Sequence, residues 1–198
     1  MIVVADSSPL VVLVTIGHVD VLPALFGKVV IPPEVATELA APARAQAVRA
    51  FIATPPGWLE VRPPTAVAAI PRLHAGEVAA IALARELHAD RLIVDERDAR
   101  KAAVERQVQV VGTVGVLELA ADTGLIDLRQ AFEEVKKTDF WVSPKFLDER
   151  LALFQQRKQA QELARTRQEP QAPKPESPKD PEPPKPDLKH GRGHRRGM

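Results

Sequence analysis

Four acidic residues carry the chemistry that this sequence can do: Asp6, Glu38, Glu77 and Asp95. Asp6 follows the apolar run Ile2-Val3-Val4-Ala5, and Asp95 follows Leu92-Ile93-Val94. Glu38 lies on a segment opened by Pro32-Pro33, and Glu77 opens the apolar stretch Val78 to Ala84. Carboxylates seldom occupy such places unless they are paired or hold a metal. Brought together, they cannot all stay ionised without a cation between them. Hard oxygen ligands suit Mg²⁺ or Mn²⁺. The chemistry that follows is metal-dependent phosphoryl transfer, in which divalent ions activate water and stabilise the leaving oxygen.

The elements that must position these acids read as alternating strands and helices. Strands are expected over 2–5, 29–31, 59–61, 91–94 and 108–111. Helices are expected over 9–16, 19–26, 33–39, 43–53, 77–88, 98–106, 113–123 and 128–137, with an amphipathic one over 144–165. Such alternation implies an α/β fold with a mostly parallel sheet. Ligands of such sheets bind at the carboxyl ends of the strands, near a reversal of strand order. Asp6 and Asp95, each just after a strand, fall on that edge.

Each acid also has a structural explanation. In Asp6-Ser7-Ser8-Pro9, Ser8 is expected to cap the helix, with Pro9 at its first position, leaving Asp6 free for the cleft. The helix dipole accounts for Glu34 in a first turn but not for Glu38 one turn later. Glu77 gains from the dipole as well, and Gly76 would allow a tight turn or a close approach. Asp95, Glu96 and Asp98 crowd three acids behind one strand, with Asp98 expected as a helix cap. Arg97, Arg100 and Lys101 offer donors for substrate phosphates. Trp58 and Trp141 read as packing anchors.

Composition bounds the rest. The chain has 198 residues and is 45% hydrophobic, enough for one domain with a real core. That domain is expected over 1–160, and the segment 161–198 as a helix end followed by a disordered, Pro-rich basic tail. The net charge of +1 gives no chain-wide argument for a polyanionic partner. With no cysteine, disulfides and Cys-ligated zinc are excluded. The start lacks the basic region of a signal peptide, and the run from Leu10 to Ile16 is too short to span a bilayer, so a soluble cytoplasmic protein without membrane partners is expected. Glycine-rich nucleotide loops and a nucleophile elbow are missing.

Taken in order, Val4-Ala5-Asp6-Ser7-Ser8-Pro9-Leu10, the segment Ile31 to Leu39, Gly76-Glu77-Val78-Ala79-Ala80-Ile81-Ala82-Leu83-Ala84, Leu92 to Arg97 and Val110 to Leu117 resemble the PIN domain. They are most similar to the bacterial and archaeal branch with a D-S-S-P-L start. The resemblance covers about residues 2–155. It implies a three-layer α/β/α fold and a Mg²⁺- or Mn²⁺-dependent ribonuclease, in many members the toxin of a toxin–antitoxin pair. Its acids map onto Asp6, Glu38, Glu77 and Asp95, with Glu96 and Asp98 as near neighbours and Ser8 as a hydroxyl near the metal. The third acid, often aspartate, is here the longer Glu77. RNA as substrate, an antitoxin and a second copy of the chain are the partners so implied. Two alternatives stay open: a PIN-like interaction module without nuclease activity, and an aspartyl phosphatase or phosphotransferase. The latter lacks the second acid of an Asp-x-Asp start.

The tail has no apolar face to bury, so removing the residues after Arg167 should leave the melting temperature nearly unchanged. A thermal melt showing a loss of several degrees would mean that the tail docks.

Overall fold

The computed structural model describes residues 1–168. The expected tail lies outside the described residues. The chain divides into a compact unit, Met1–Ala160, and a second unit, Gln161–Met198, of which only the end of the last helix is described.

Five short strands form one parallel sheet: β1 (Ile2–Ala5), β2 (Lys28–Ile31), β3 (Leu59–Val61), β4 (Arg91–Ile93) and β5 (Val110–Val111). Their order is β3-β2-β1-β4-β5, so β1 is central and the order reverses beside it. Val4 pairs with Val30 on one side and Leu92 on the other. The two-residue period of the strands divides the core. Val3, Ala5, Val29, Ile31 and Ile93 enter one apolar cluster, while Val4, Val30, Leu92 and Val94 enter another. The result is a three-layer α/β/α architecture with helices on both faces of the sheet.

The first cluster is covered by α1 (Ser7–Thr15), α2 (Val21–Phe26), α3 (Pro33–Ala40), α4 (Gln46–Ala53), α7 (Thr113–Asp122) and α8 (Leu128–Val135). The second is covered by α5 (Ala75–Glu86) and α6 (Arg97–Glu105). The last helix, α9 (Pro144–Gln168), docks through buried Leu147 and a two-pronged ion pair in which Arg150 Nε donates to Glu118 Oε1 at 2.6 Å and a second guanidinium nitrogen donates to Oε2. Glu118 is buried on α7, so this pair fixes the start of α9 against that helix.

Several boundaries differ from expectation, each for a local reason. Helix α1 begins at Ser7, and Asp6 rather than Ser8 occupies its N-cap position. Helix α6 begins at Arg97 with Glu96 at the cap position, which leaves Asp98 in the first turn, where a negative charge suits the dipole. Helix α5 takes in Ala75 and Gly76. The expected strand 108–111 narrows to Val110–Val111 because Val108 N donates to Ala103 O and closes the end of α6. Helix α9 is not an amphipathic stripe, since Leu153 and Leu163 are exposed. Among the described residues, no helix is long and apolar enough to cross a membrane.

Candidate active site

Asp6 stands where central β1 gives way to α1. Its amide donates to Ile93 O at 2.9 Å, which carries the β1–β4 pairing to the point where strand order reverses. The residue is 2% exposed, its carboxylate makes no capping bond, and Oδ1 has no hydrogen-bond partner. Burial raises its pKa to about 6. The Ser7 amide opposes that rise, the Glu38 and Glu77 carboxylates add to it, and the Ser8 amide opposes it more weakly. Burial and crowding by like charges both disfavour an ionised carboxylate.

Glu38 reaches the cluster from the last turn of α3. Ser7 Oγ donates to its Oε2 at 2.5 Å. Its Oε1 lies against Gly76, where a Cβ would collide with it. The glycine is therefore needed for the close approach of a neighbouring carboxylate, inside a helix rather than at a turn. The hydroxyl expected near the site on Ser8 belongs by contact to Ser7, while Ser8 lines the adjoining groove.

Glu77 is buried in the first turn of α5, with Oε2 accepting from the His74 amide at 2.8 Å. Its pKa is raised, chiefly by burial. The His74 amide and imidazole oppose the rise, and Glu96 and Glu38 add to it. Asp6, Glu38 and Glu77 thus share one neighbourhood, with Glu96 on its Glu77 side.

Asp95 lines the same groove as Glu77 and is held by Thr113. Its Oδ1 accepts from the Thr113 amide at 2.8 Å and its Oδ2 from the Thr113 hydroxyl at 2.6 Å. Burial raises its pKa, and these two bonds and the Arg100 charge oppose the rise. A Cβ on Gly112 would lie 2.6 Å from an Arg100 guanidinium nitrogen and 2.9 Å from Asp95 Oδ1, so this glycine leaves room for both side chains. Arg100 is thereby drawn inward beside Asp95. Lys101 points elsewhere, is largely exposed and pairs with Glu105 at 4.0 Å.

A groove of about 1420 Å³ runs along this edge of the sheet, lined among others by Ser8, Glu77, Asp95, Glu96, Arg97 and Asp98. Arg44, Arg72 and Lys137 line it too, and sequence reasoning did not single them out. Only their distance along the chain hid them, since each lies in a loop or at a helix end with no local motif. Trp141 also lines the groove and is fully exposed, which overturns its expected role as a packing anchor. Trp58 does pack, its ring centroid 5.9 Å from that of Phe51. Among the described residues, no three His, Asp or Glu side chains are grouped closely enough to hold a metal ion as they stand. Glu38, Glu77 and Asp95 are each tied to a protein donor.

A family model described as a PIN domain (DUF3368) matches residues 2–156. Among solved structures, the chain is similar to a PilT N-terminus domain protein from the hyperthermophilic archaeon Sulfolobus solfataricus P2. That likeness has 20% identity and a TM-score of 0.46, covering 64% of this chain and 97% of that one. No curated protein matches.

The raised pKa of Asp6 sets a sign for stability against pH. The folded state holds the proton more tightly than the unfolded chain, so the associated stability is present below about pH 4 and lost as pH rises through about 6. From 3.8 to about 6, at about 1.4 kcal/mol per pH unit, the loss is about 3 kcal/mol. In chelator, Asp6→Asn should therefore gain stability over the wild type progressively between pH 4 and pH 7. Urea unfolding at both pH values checks this, and a difference that does not grow with pH would count against a strained Asp6 carboxylate.

Proposed function

The chain belongs to the PIN-domain family, and from that premise we propose that it is a divalent-metal-dependent ribonuclease, hydrolysing RNA phosphodiester bonds as the cytoplasmic toxin of a toxin–antitoxin pair. The single observation that carries the nuclease reading is Asp6: a buried carboxylate with an unpartnered oxygen, pushed up in pKa by burial and by Glu38 and Glu77. An unpartnered buried oxygen is expensive unless something meets it. A hard divalent cation fits the donor set, which is carboxylate oxygen throughout. Asp6, Glu38 and Glu77 would hold it, with Asp95 and Glu96 on the neighbouring edge. Mg²⁺ or Mn²⁺ bound there supplies water activation and charge neutralisation at phosphorus.

The residues of this chain do the remaining work. The Ser7 hydroxyl orients Glu38, the His74 amide orients Glu77, and Thr113 orients Asp95. Such tethers keep the acids in place at little entropic cost when substrate arrives. Arg97 and Arg72 form no ion pair among the described residues, which leaves their guanidinium groups for substrate phosphates. Asp98 lines the same groove in the first turn of α6. The toxin assignment rests on the similarity of the Asp6-Ser7-Ser8-Pro9-Leu10 start to that branch, and a small antitoxin gene beside this one would support it.

A second reading is a PIN-like interaction module without cleavage. It is favoured by Asp95, both of whose oxygens are already satisfied by Thr113. A phosphoaspartate mechanism at Asp6 has less support, since the carboxylate is buried and no second acid follows it.

Wild-type protein incubated with mixed RNAs should cleave with Mg²⁺ or Mn²⁺ and not in chelator. Asp6→Asn should abolish cleavage while keeping a cooperative melt, because asparagine keeps the shape and loses the charge. Gly76→Ala should also lose most activity at little cost in stability, since the new Cβ displaces the far end of the Glu38 side chain rather than backbone. A wild type that cleaves no RNA with any divalent ion, or an Asp6→Asn that keeps full activity, would sink the enzyme reading.

A further inference from the structure

The segment between α8 and α9 presents a tryptophan by construction. Thr138 Oγ1 accepts from the Phe140 amide at 3.2 Å, and the Val142 amide donates back to Phe140 O at 2.8 Å, so residues 140–142 form a tight turn with Trp141 at its apex. Phe140 and Val142 pack against the core on either side of it. With its two neighbours anchored inward, Trp141 is held out, 100% exposed. An indole buries one of the largest apolar areas of any side chain when it can, and leaving it wholly in water forfeits that gain. The start of α9 is itself fixed by Leu147 and by the Arg150–Glu118 pair, so the turn is held at both ends.

Trp141 stands in a groove of mixed lining, where apolar side chains such as Val114 and Val142 and the acids Glu96, Asp98 and Asp139 accompany the cations. It shares its groove with Lys137, Arg44, Arg72 and Arg97, and with the half-exposed ring of Phe146 in the first turn of α9. Exposed aromatic rings interleaved with cations along a groove are the surface that binds a single-stranded polynucleotide: the cations track phosphates and the rings stack on bases. A protein-docking hot spot would instead be ringed by contacts that exclude water. A duplex keeps its bases stacked inside and offers the indole nothing to stack on.

We propose that Trp141 is a base-stacking platform that makes this groove selective for single-stranded RNA. The proposal deepens the ribonuclease reading, on which it rests for the identity of the polymer, and it assigns the selectivity to a residue outside the acidic cluster. Trp141 is a positioning residue: it holds the strand and takes no part in bond breaking.

The test is equilibrium binding of the full chain, in chelator so that nothing is cleaved, to a labelled unstructured 12-nucleotide RNA and to the same sequence as a duplex. Trp141→Ala should weaken single-strand binding by about tenfold or more, the loss typical of a base–aromatic stack, and leave duplex binding unchanged. Trp141→Phe should recover much of the loss. The salt dependence of binding should be the same in all three proteins, because no phosphate-facing charge changes. The exposed position makes misfolding of these variants a minor concern, and a melt checks it. Equal single-strand affinity of Trp141→Ala and wild type overturns the proposal. So does an unchanged affinity accompanied by a shift in oligomeric state in sedimentation, which would make Trp141 a contact between protein chains. Failure of the nuclease reading looks different: stacking-dependent binding with no divalent-dependent cleavage.

Discussion

Taking a carboxylate out of water at the end of the central strand costs several kcal/mol unless a partner restores what water supplied. Asp6 bears that cost with one oxygen unmatched, and the arrangement around it follows. The strand order reverses at β1, so the helices that follow β1 and β4 diverge and leave a crevice beside Asp6. Helix α3 brings Glu38 and helix α5 brings Glu77 toward that carboxylate from different parts of the chain. Glu38 and Glu77 both push up the pKa of Asp6, and Glu38 pushes up that of Glu77. The two apolar clusters, on opposite faces of the sheet, hold the strands and helices that carry these acids.

The tethers show how the strain is distributed. Glu38 is fixed by Ser7, Glu77 by the His74 amide and Asp95 by Thr113, while Asp6 keeps Oδ1 without a partner. Ser7 and Asp6 are adjacent, so one chain segment supplies the unmatched carboxylate and also the hydroxyl that fixes its neighbour. Gly76 plays the steric counterpart by yielding the volume that the Glu38 carboxylate fills. Gly112 does the same for Asp95 and Arg100. The close approach that Gly76 was expected to allow is made by the Glu38 carboxylate.

The strands and the parallel sheet were legible in the sequence as short β-branched runs, each followed by a helical stretch, and the three-layer order came from the family resemblance. Strand-end position pointed to Asp6, and the family resemblance pointed to Glu38 and Glu77 beside it. What local reading missed is side-chain direction. Ser8 looked like the cap because Pro9 suits a first helical position, yet α1 starts two residues earlier with Pro9 inside its first turn, where a missing N–H costs nothing. Asp95 was expected in the cluster, and no local signal announced that Thr113, 18 residues on, donates to both its oxygens. Trp141 looked like core because tryptophan usually is, and only the anchoring of Phe140 and Val142 decides otherwise.

That last case bears on how the edge of the sheet is organised. Buried acids on one part of the groove repel a polyanion; the approach of a phosphate chain is favourable only if other surfaces attract it first. Arg44, Arg72, Arg97 and Lys137 supply that attraction on the same groove. Arg100 stands beside Asp95. On the reading proposed above, the acids of that groove would hold the divalent cation and its cations the negative polymer. A fully exposed indole adds a contact indifferent to charge, which works at either sign of the local field.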